Sequence, residues 1–228
     1  MSFTLFGTCR INNILNHNNL NNLVNYPHST KEVIQLIKFL KGELNIPAPY
    51  NRLCFRTGIF DNKSIFYDTS YTKLLIDTDI FIIEISSIKK YIHNNFYLHH
   101  ICVDKRFSCC HSNTPLEILD NFTIEKQSDE EIENDILEIQ KLLYPKQIII
   151  VSHYNSKQNG EYIDSRNHLI HLLELICKKN TIPFINPTII LSNYTQEQVM
   201  KDDLGHYTEF GIIQFSNYVN HYLKSTFY

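Results

Sequence analysis

The chain has 228 residues, of which 43% are hydrophobic and 20% are charged, so it is long enough to bury a sizeable core and its composition is ordinary for a soluble globular domain. Its formal net charge of −3 gives no electrostatic attraction for nucleic acid or for an anionic membrane, and we expect neither as a partner. With only 6 glycines, the sequence contains no Gly-x-Gly-x-x-Gly and no phosphate loop, and it also lacks His-Glu-x-x-His. The usual dinucleotide, P-loop and zinc-protease motifs are therefore excluded.

The amino-terminal segment and the cysteines favour a reducing compartment. Residues 1–6 lack the basic flank and long apolar core of a signal peptide, and no apolar stretch reaches the roughly 18 residues of a membrane span. We therefore expect a cytoplasmic protein whose cysteines are free thiols. The run Cys109-Cys110-His111 lacks the spacing and the second ligand pair of a zinc site, so no metal is predicted. The cysteines are Cys9, Cys54, Cys102, Cys109, Cys110 and Cys177.

In chain order, the first predicted strand covers residues 3–8 and is followed by an Asn-rich loop. A Ser-x-x-Glu capping box at residues 29–32 opens a helix that runs to about residue 44. Residues 52–56 are predicted as a second strand. The nearly continuous apolar run 79–85 is typical of a buried parallel strand.

The second half of the chain continues the alternation of strands and helices. A capping box at residues 128–131 opens another helix. The predicted elements that follow are a helix to about residue 143, a strand at 147–151, a helix at 165–178, a short strand at 183–187 and a helix at 208–223. Such alternation implies a parallel sheet covered by helices on both faces. We predict one domain over 1–228, with an irregular insertion at about 89–124.

In an open parallel sheet, sites form beyond the carboxyl ends of the strands, where residues distant in sequence share one rim. The side chains predicted to lie there are Cys9 after the first strand, Ser86 and Ser87 after the third, His153 and Asn155 after the fourth, and Asp203 and His206 after the fifth.

Cys9 and His206 are the candidate nucleophile and base. A thiol needs a base to become a thiolate near neutral pH, and the base needs a third group to fix its tautomer. Cys9 could instead be a small buried apolar residue, and His206 could be a surface histidine. Asp203, three residues before His206, favours the functional interpretation of that histidine.

Three further polar residues are interpreted as structural. Glu84 lies inside an apolar strand, where a carboxylate is costly unless it is paired, so we predict a structural pair or an edge position for it. His99 and His100 have no partner at metal-ligand spacing.

Two sequence blocks resemble the SGNH/GDSL hydrolase superfamily. Gly7-Thr8-Cys9 stands where that family has a Gly-Asp-Ser turn, and Asp203-Leu204-Gly205-His206 matches its Asp-x-x-His block before the last helix. Gly58 is similar to the glycine of the second block, whereas Ser86-Ser87-Ile88-Lys89 replaces the usual Gly-x-Asn-Asp of the third. A combination of five segments makes the chain more similar to the Cys-bearing, GSCFA-like relatives associated with polysaccharide biosynthesis. These segments are Gly7-Thr8-Cys9-Arg10, His28-Ser29-Thr30, Phe55-Arg56-Thr57-Gly58, Glu84-Ile85-Ser86-Ser87 and His206-Tyr207-Thr208.

The resemblance implies a three-layer α/β/α sandwich with a five-stranded parallel, flavodoxin-like sheet. It also implies an acyltransferase or esterase acting on a carbohydrate or nucleotide sugar through a Cys9–His206–Asp203 triad. No metal or redox cofactor is needed, although acetyl-CoA could serve as the acyl donor. The predicted oxyanion donors are the backbone of Cys9 and Arg10 with one of Ser86, Ser87, Asn155 or Gly58.

Substrate recognition is predicted from the basic residues near the same rim. Arg10, His28, Arg56 and His153, with Tyr207 beside the base, form a patch suited to the phosphates of a nucleotide sugar or CoA. Alternatively, the two arginines pair with Asp77, Asp79 or Glu84 and hold strand ends together. The alternative function is that of a non-catalytic glycan- or partner-binding protein on the same fold.

Overall fold

The computed structural model describes residues 2–15, 21–22 and 26–227. Much of the predicted Asn-rich loop lies outside the described residues. The strands in chain order are β1 Phe3–Phe6, β2 Asn21–Asn22, β3 Ile80–Ile85, β4 Lys89–His93, β5 Phe96–Tyr97, β6 Thr123–Lys126, β7 Gln147–Ser152, β8 Lys157–Gln158, β9 Glu161–Tyr162 and β10 Phe184–Ile185.

Five strands form the central sheet, in the order β10-β7-β3-β1-β2, and all of their pairings are parallel. Counting only these strands along the chain, the order is that of a flavodoxin-like sheet, as predicted. The edge strand β2 contributes only two residues. All six residues of β3 are buried, which confirms its prediction as an interior parallel strand.

The helices are α1 Cys9–Leu15, α2 Thr30–Leu40, α3 Tyr50–Leu53, α4 Arg56–Phe60, α5 Thr69–Asp77, α6 Ser108–His111, α7 Leu116–Asn121, α8 Asp129–Leu143, α9 Asp164–Lys179, α10 Pro187–Ile190, α11 Gln196–Val199 and α12 Glu209–Phe227, with a 3₁₀ turn at His100–Cys102. The capping box that starts α2 is present, with Ser29 at the N-cap and Glu32 at the third helical position. Ser128 caps α8.

The hydrophobic core lies on both faces of the central sheet. On one face, apolar side chains of α2, α8 and α9 pack against alternate residues of β1, β3 and β7. On the other face, Ile11 of α1 and Phe215 and Val219 of α12 pack against the remaining residues of those strands. Because each strand buries both of its faces, the sheet is the middle of three layers, as predicted.

The prediction of a strand at residues 52–56 is wrong. This segment forms the end of α3 and the start of α4, whose Leu53, Phe55 and Ile59 are buried in the core. The three consecutive apolar residues Leu53, Cys54 and Phe55 fit a short helical segment as well as a buried strand. Gly58 permits the tight arrangement, because a Cβ atom there would lie 2.7 Å from the carbonyl oxygen of Arg52.

The segment predicted to be an irregular insertion contains regular structure. Strands β4, β5 and β6 form a small antiparallel sheet in the order β5-β4-β6. Leu98, Ile101 and Cys102 are buried in the same core cluster as the helices of one face. All six cysteines are free thiols, as predicted. Among the described residues, no helix combines the length and apolarity that crossing a bilayer requires.

Candidate active site

The nucleophile turn, residues 7–10, connects β1 to α1. Gly7 is required there, because a Cβ atom would lie 2.4 Å from Cγ2 of Ile11 and 2.9 Å from Cβ of Glu84. The backbone N–H of Thr8 donates to Oε2 of Glu84 at 2.7 Å, and the Thr8 hydroxyl donates to the same oxygen. Cys9 follows as the first residue of α1 and is partly exposed. The turn thus presents a thiol at the carboxyl edge of the sheet.

The base turn, residues 203–206, lies between α11 and α12. Nδ1 of His206 lies 2.6 Å from Oδ2 of Asp203, whose other oxygen accepts the backbone N–H groups of Gly205 and His206 at 2.8 and 2.9 Å. Although desolvation opposes ionisation, these hydrogen bonds hold the pKa of Asp203 below its usual value. An ionised Asp203 keeps the proton on Nδ1, which leaves Nε2 free to accept one.

Side chains from other elements of the fold donate hydrogen bonds to the backbone of the base turn. Arg166 of α9 donates to the carbonyl oxygen of Leu204 at 2.8 Å, and the Ser156 hydroxyl donates to the same oxygen at 3.2 Å. Arg10 donates to the carbonyl oxygen of Gly205 at 3.4 Å. Leu204 has a φ of 54°, in the left-handed region that branched and bulky residues disfavour. The turn is therefore held in its conformation by tertiary contacts.

Two adjoining cavities, each of about 210 Å³, open at this edge and share Arg10, His28 and His100 in their walls. The first, here called the thiol cavity, contains both Cys9 and His206. The rest of its wall consists of Thr8, Tyr26, Arg56, Phe60, His99, Ile101 and Phe107. The structure therefore places the predicted nucleophile and the predicted base around one space.

The second cavity, here called the cationic cavity, is lined by Lys89 and Arg166 as well as Arg10, and by one carboxyl group, that of Glu32. Burial, together with the charge of Arg10, lowers the pKa of Arg166 to about 10. His153 also lines this cavity, and burial and the two arginines lower its pKa well below the usual value, so it is neutral near pH 7. Nδ1 of His153 lies 2.8 Å from the carbonyl oxygen of Tyr154, which places the proton on Nδ1.

Three histidines stand between the two cavities. His28, His99 and His100 bring one ring nitrogen each to within 4.8 Å of one another, and their rings are in contact. They are the residues that could hold a metal ion in the described part of the chain. Burial lowers the pKa of all three, that of His100 to about 4, so the cluster is uncharged near neutral pH.

The predicted arginines behave differently from each other. Nε of Arg10 lies 3.1 Å from Oε1 of Glu84, which is the structural pair anticipated for both residues. Arg56 instead lies over the rings of Tyr26 and Phe60, 4.5 and 4.6 Å from their centroids, in the wall of the thiol cavity.

Two of the predicted oxyanion donors border the cationic cavity. Ser86 and Ser87 line it, but their backbone N–H groups donate to the carbonyl oxygen of His28. The Ser86 hydroxyl lies 3.2 Å from Nδ1 of His28.

Three other predicted site residues lie outside both cavity walls. Asn155 donates to Asn167 at 2.7 Å, Gly58 is buried in α4, and Tyr207 is buried against Tyr154 and Phe215. Sequence reasoning missed Arg166, because no local pattern connects a helical arginine with a turn 38 residues later.

The strand order and the Asp-x-x-His turn define an SGNH-type α/β/α domain, as the sequence predicted. The family model of the TviD N-terminal domain matches residues 1–117 and 111–223, and the chain belongs to that family. It is also similar to the Vi polysaccharide biosynthesis protein TviD of Salmonella typhi, with 25% identity over 254 residues. That alignment covers 91% of this chain but only 30% of the relative, so the chain spans about a third of the relative's length.

Solved structures that resemble the chain share little sequence with it. A GDSL-like lipase of Bacteroides thetaiotaomicron is 11% identical, with a TM-score of 0.47 and coverage of 98% of this chain and 88% of its own. A carbohydrate acetylesterase of Sinorhizobium meliloti is 10% identical, with a TM-score of 0.40 and coverage of 99% of both chains.

Proposed function

We propose that the chain catalyses acyl transfer to or from a carbohydrate, with Cys9 as nucleophile, His206 as base and Asp203 as the group that orients the base. One observation carries the proposal: Cys9 and His206 line the same cavity, while Asp203 engages Nδ1 of the imidazole at 2.6 Å. Membership in the family of the TviD N-terminal domain, together with similarity to the Vi polysaccharide biosynthesis protein TviD, supports a carbohydrate substrate.

The reaction proceeds in two steps. In the first, Nε2 of His206 takes the thiol proton, Cys9 attacks the acyl carbonyl, and the imidazolium returns the proton to the leaving group. In the second, His206 removes a proton from a sugar hydroxyl or from water, which attacks the thioester and releases the Cys9 thiol. A sugar hydroxyl completes a transferase reaction, with acetyl-CoA as a suitable donor, whereas water completes an esterase reaction.

The oxyanion of each tetrahedral intermediate needs donors at the nucleophile turn. We assign this role to the backbone N–H groups of Cys9 and Arg10, because they lie at the first positions of α1 and have no carbonyl partner within the helix. The N–H of Arg10 also donates to the Thr8 hydroxyl, at 3.4 Å, and an oxyanion would replace this long contact. Ser86, in the block that lacks the family's asparagine, supplies a hydroxyl at the neighbouring cavity.

An anionic group on the substrate fits the cationic cavity. Arg166 and Lys89 line it without a carboxylate partner among the described residues, and Arg10, which is paired with Glu84, lies beside them. Glu32 also lines this cavity, but burial raises its pKa to about 7, so it does not carry a full negative charge near neutral pH. Guanidinium and ammonium groups bind phosphate and carboxylate oxygens, so a nucleotide sugar, an acidic sugar or CoA would be retained there.

The experiment incubates the protein with acetyl-CoA and a panel of nucleotide sugars and acidic oligosaccharides, and product masses are measured. Acetylated sugar that disappears with Cys9→Ala supports the transferase reaction, and release of acetate alone supports the esterase reaction. Cys109→Ala is the matched control, because Cys109 is an exposed thiol outside both cavity walls. Turnover that survives Cys9→Ala would reject Cys9 as the nucleophile.

One observation favours a second candidate function, that of a glycan-binding module without catalysis. The amide of Asn155, predicted to replace the third-block asparagine, donates to Asn167 and is absent from both cavity walls. Alkylation separates the two functions. An activated Cys9 reacts with iodoacetamide faster than the other cysteines and slows when His206 is replaced by alanine. Equal reactivity of Cys9 in both proteins, together with saturable glycan binding, would favour the module.

A further inference from the structure

Glu84 lies at the junction of the nucleophile turn and the base turn. It belongs to the central strand β3, where its five neighbours in the strand are apolar, and it is only 2% exposed. A buried carboxylate is costly unless its oxygens are fully hydrogen-bonded, and a well-packed apolar residue is often at least as stable. Stability alone therefore does not explain why a carboxylate, rather than an apolar residue, occupies position 84.

Each oxygen of Glu84 serves a different half of the site. Oε2 accepts the backbone N–H and the hydroxyl of Thr8, the residue immediately before the candidate nucleophile. Oε1 accepts Nε–H of Arg10 at 3.1 Å, and the same guanidinium donates to the carbonyl oxygen of Gly205, the residue immediately before the candidate base. One rigid side chain thus connects positions next to Cys9 and next to His206.

We infer that Glu84 is a positioning residue, which holds the nucleophile turn and the base turn at a fixed separation through Thr8 and Arg10. The inference rests on the proposed function, because it concerns the alignment of Cys9 with His206. Glu84 does not line either cavity, so it acts on the reaction through its neighbours rather than by touching substrate.

The test replaces Glu84 with glutamine, which keeps the size but leaves one oxygen to accept hydrogen bonds that two oxygens now accept. We expect kcat for acyl transfer to fall about 100-fold with little change in KM, since small misplacement of reacting groups has effects of that order. The alkylation rate of Cys9 provides a readout that does not depend on turnover. In the parent protein His206→Ala slows alkylation, and in the Glu84→Gln protein the same change has little further effect.

Asp135→Asn is the matched control. Asp135 is also 2% exposed, lines neither cavity, accepts a threonine hydroxyl and pairs with a cation. Unlike Thr8 and Arg10, however, its partners Thr30 and Lys31 are absent from both cavity walls. We expect it to lower stability without changing kcat or the effect of His206→Ala. If Glu84→Gln fails to fold, Thr8→Val removes one of the same contacts and keeps the ion pair, and a smaller loss in the same direction is expected.

The inference would be overturned by an unchanged effect of His206→Ala in the Glu84→Gln protein, or by an equal loss with Asp135→Asn. Absence of any His206 effect in the parent protein would also overturn it, even if Cys9→Ala abolished turnover and so supported the proposed function. Conversely, the protein could lack acyl-transfer activity although His206→Ala slows the alkylation of Cys9 in the parent and not in the Glu84→Gln protein. That result would support the positioning role of Glu84 and reject the proposed reaction.

Discussion

Two buried carboxylates have nearly the same surroundings and different consequences. Glu84 accepts the hydroxyl of Thr8 and pairs with Arg10, whereas Asp135 accepts the hydroxyl of Thr30 at 2.6 Å and pairs with Lys31 at 2.7 Å. The difference between the two carboxylates lies in the position of their partners in the fold. The partners of Glu84 belong to turns that border the cavities, and those of Asp135 belong to the start of α2.

The comparison shows that the chemical composition of a buried network does not indicate its role. Asp135 also accepts Nε2 of Gln127 at 2.8 Å, so its network joins α2, α8 and the chain before α8. Breaking it should loosen helix packing. Breaking the Glu84 network should alter geometry around Cys9 and His206. Substitutions in and beside the two networks should therefore separate stability from activity.

Asp203→Asn tests whether the base turn is part of the reactive machinery. The asparagine Nδ2 group cannot accept the Nδ1 proton of His206, so the imidazole loses the tautomer that leaves Nε2 free. We expect kcat/KM for acyl transfer to fall about 10³- to 10⁴-fold, as in other triads, with little loss of stability at this exposed position. Asp202→Asn, a change at the exposed neighbour, is the control. Comparable activity of the two variants would contradict a triad.

Local sequence patterns predicted the parts of the molecule that depend on neighbouring residues. The apolar run of β3 and the capping box before α2 are confirmed, because burial of both strand faces and side-chain capping leave signatures within a few residues. The spacing of Asp203 and His206 likewise predicted their contact, which closes within a single turn. The catalytic roles of these two residues stay predictions.

Features that depend on distant contacts could not be predicted in the same way. The prediction of a strand at 52–56 was wrong because so short an apolar run packs equally well from two short helices. The role of Arg166 could not be predicted from the sequence, since its partner Leu204 comes close only after α9 and β10 are in place. The cluster of His28 with His99 and His100 depends on packing between the start of α2 and the 3₁₀ turn.

Asp135→Asn should have the opposite effect to Asp203→Asn, because it should lower stability and leave activity unchanged. Lys31 loses its ionic partner at 2.7 Å, and the hydrogen bonds to Thr30 and Gln127 lose their charged acceptor. We expect a loss of about 2 kcal/mol in the free energy of unfolding, measured from urea midpoints, with kcat unchanged. Glu138→Gln, which breaks an exposed pair with Lys38, should cost no more than about 1 kcal/mol. A fall in kcat for Asp135→Asn would contradict the claim that the Asp135 network affects stability alone.

The pH dependence of stability probes the histidines beside the Glu84 network. Burial lowers the pKa of His100 to about 4 in the folded protein, so the unfolded chain binds a proton more readily below its pKa of about 6.5. The stabilising contribution is complete above that pH and is lost as pH falls towards 4, reaching a loss of roughly 2 kcal/mol at pH 5.

The measurement compares urea midpoints at pH 7 and pH 5 for the parent protein and His100→Gln. The variant should lose roughly 2 kcal/mol less than the parent over this interval. His28, His99 and His153 act in the same direction, while burial raises the pKa of Glu32 to about 7 and gives it the opposite sign. His171→Gln, at an exposed position, should reproduce the parent's pH dependence. An identical pH dependence in His100→Gln would contradict a neutral buried imidazole.

Arg56→Gln tests whether an arginine without a carboxylate partner contributes to the binding of an anionic substrate. Arg10 is committed to Glu84, but Arg56 has no carboxylate partner among the described residues and lies over Tyr26 and Phe60 in the wall of the thiol cavity. We expect KM for a phosphorylated substrate to rise about tenfold with kcat preserved, since the lost contact is made equally in the bound and transition states.

Arg52→Gln is the control, because Arg52 belongs to the preceding helix and donates to the carbonyl oxygen of Asn113, away from both cavities. It should leave KM unchanged. If Arg56→Gln instead lowers the unfolding midpoint and leaves KM at the parent value, the stacked arginine supports the packing of Tyr26 and Phe60. Anion binding would then depend on Arg166, Lys89 and Arg10 in the cationic cavity, where positive charge is already concentrated.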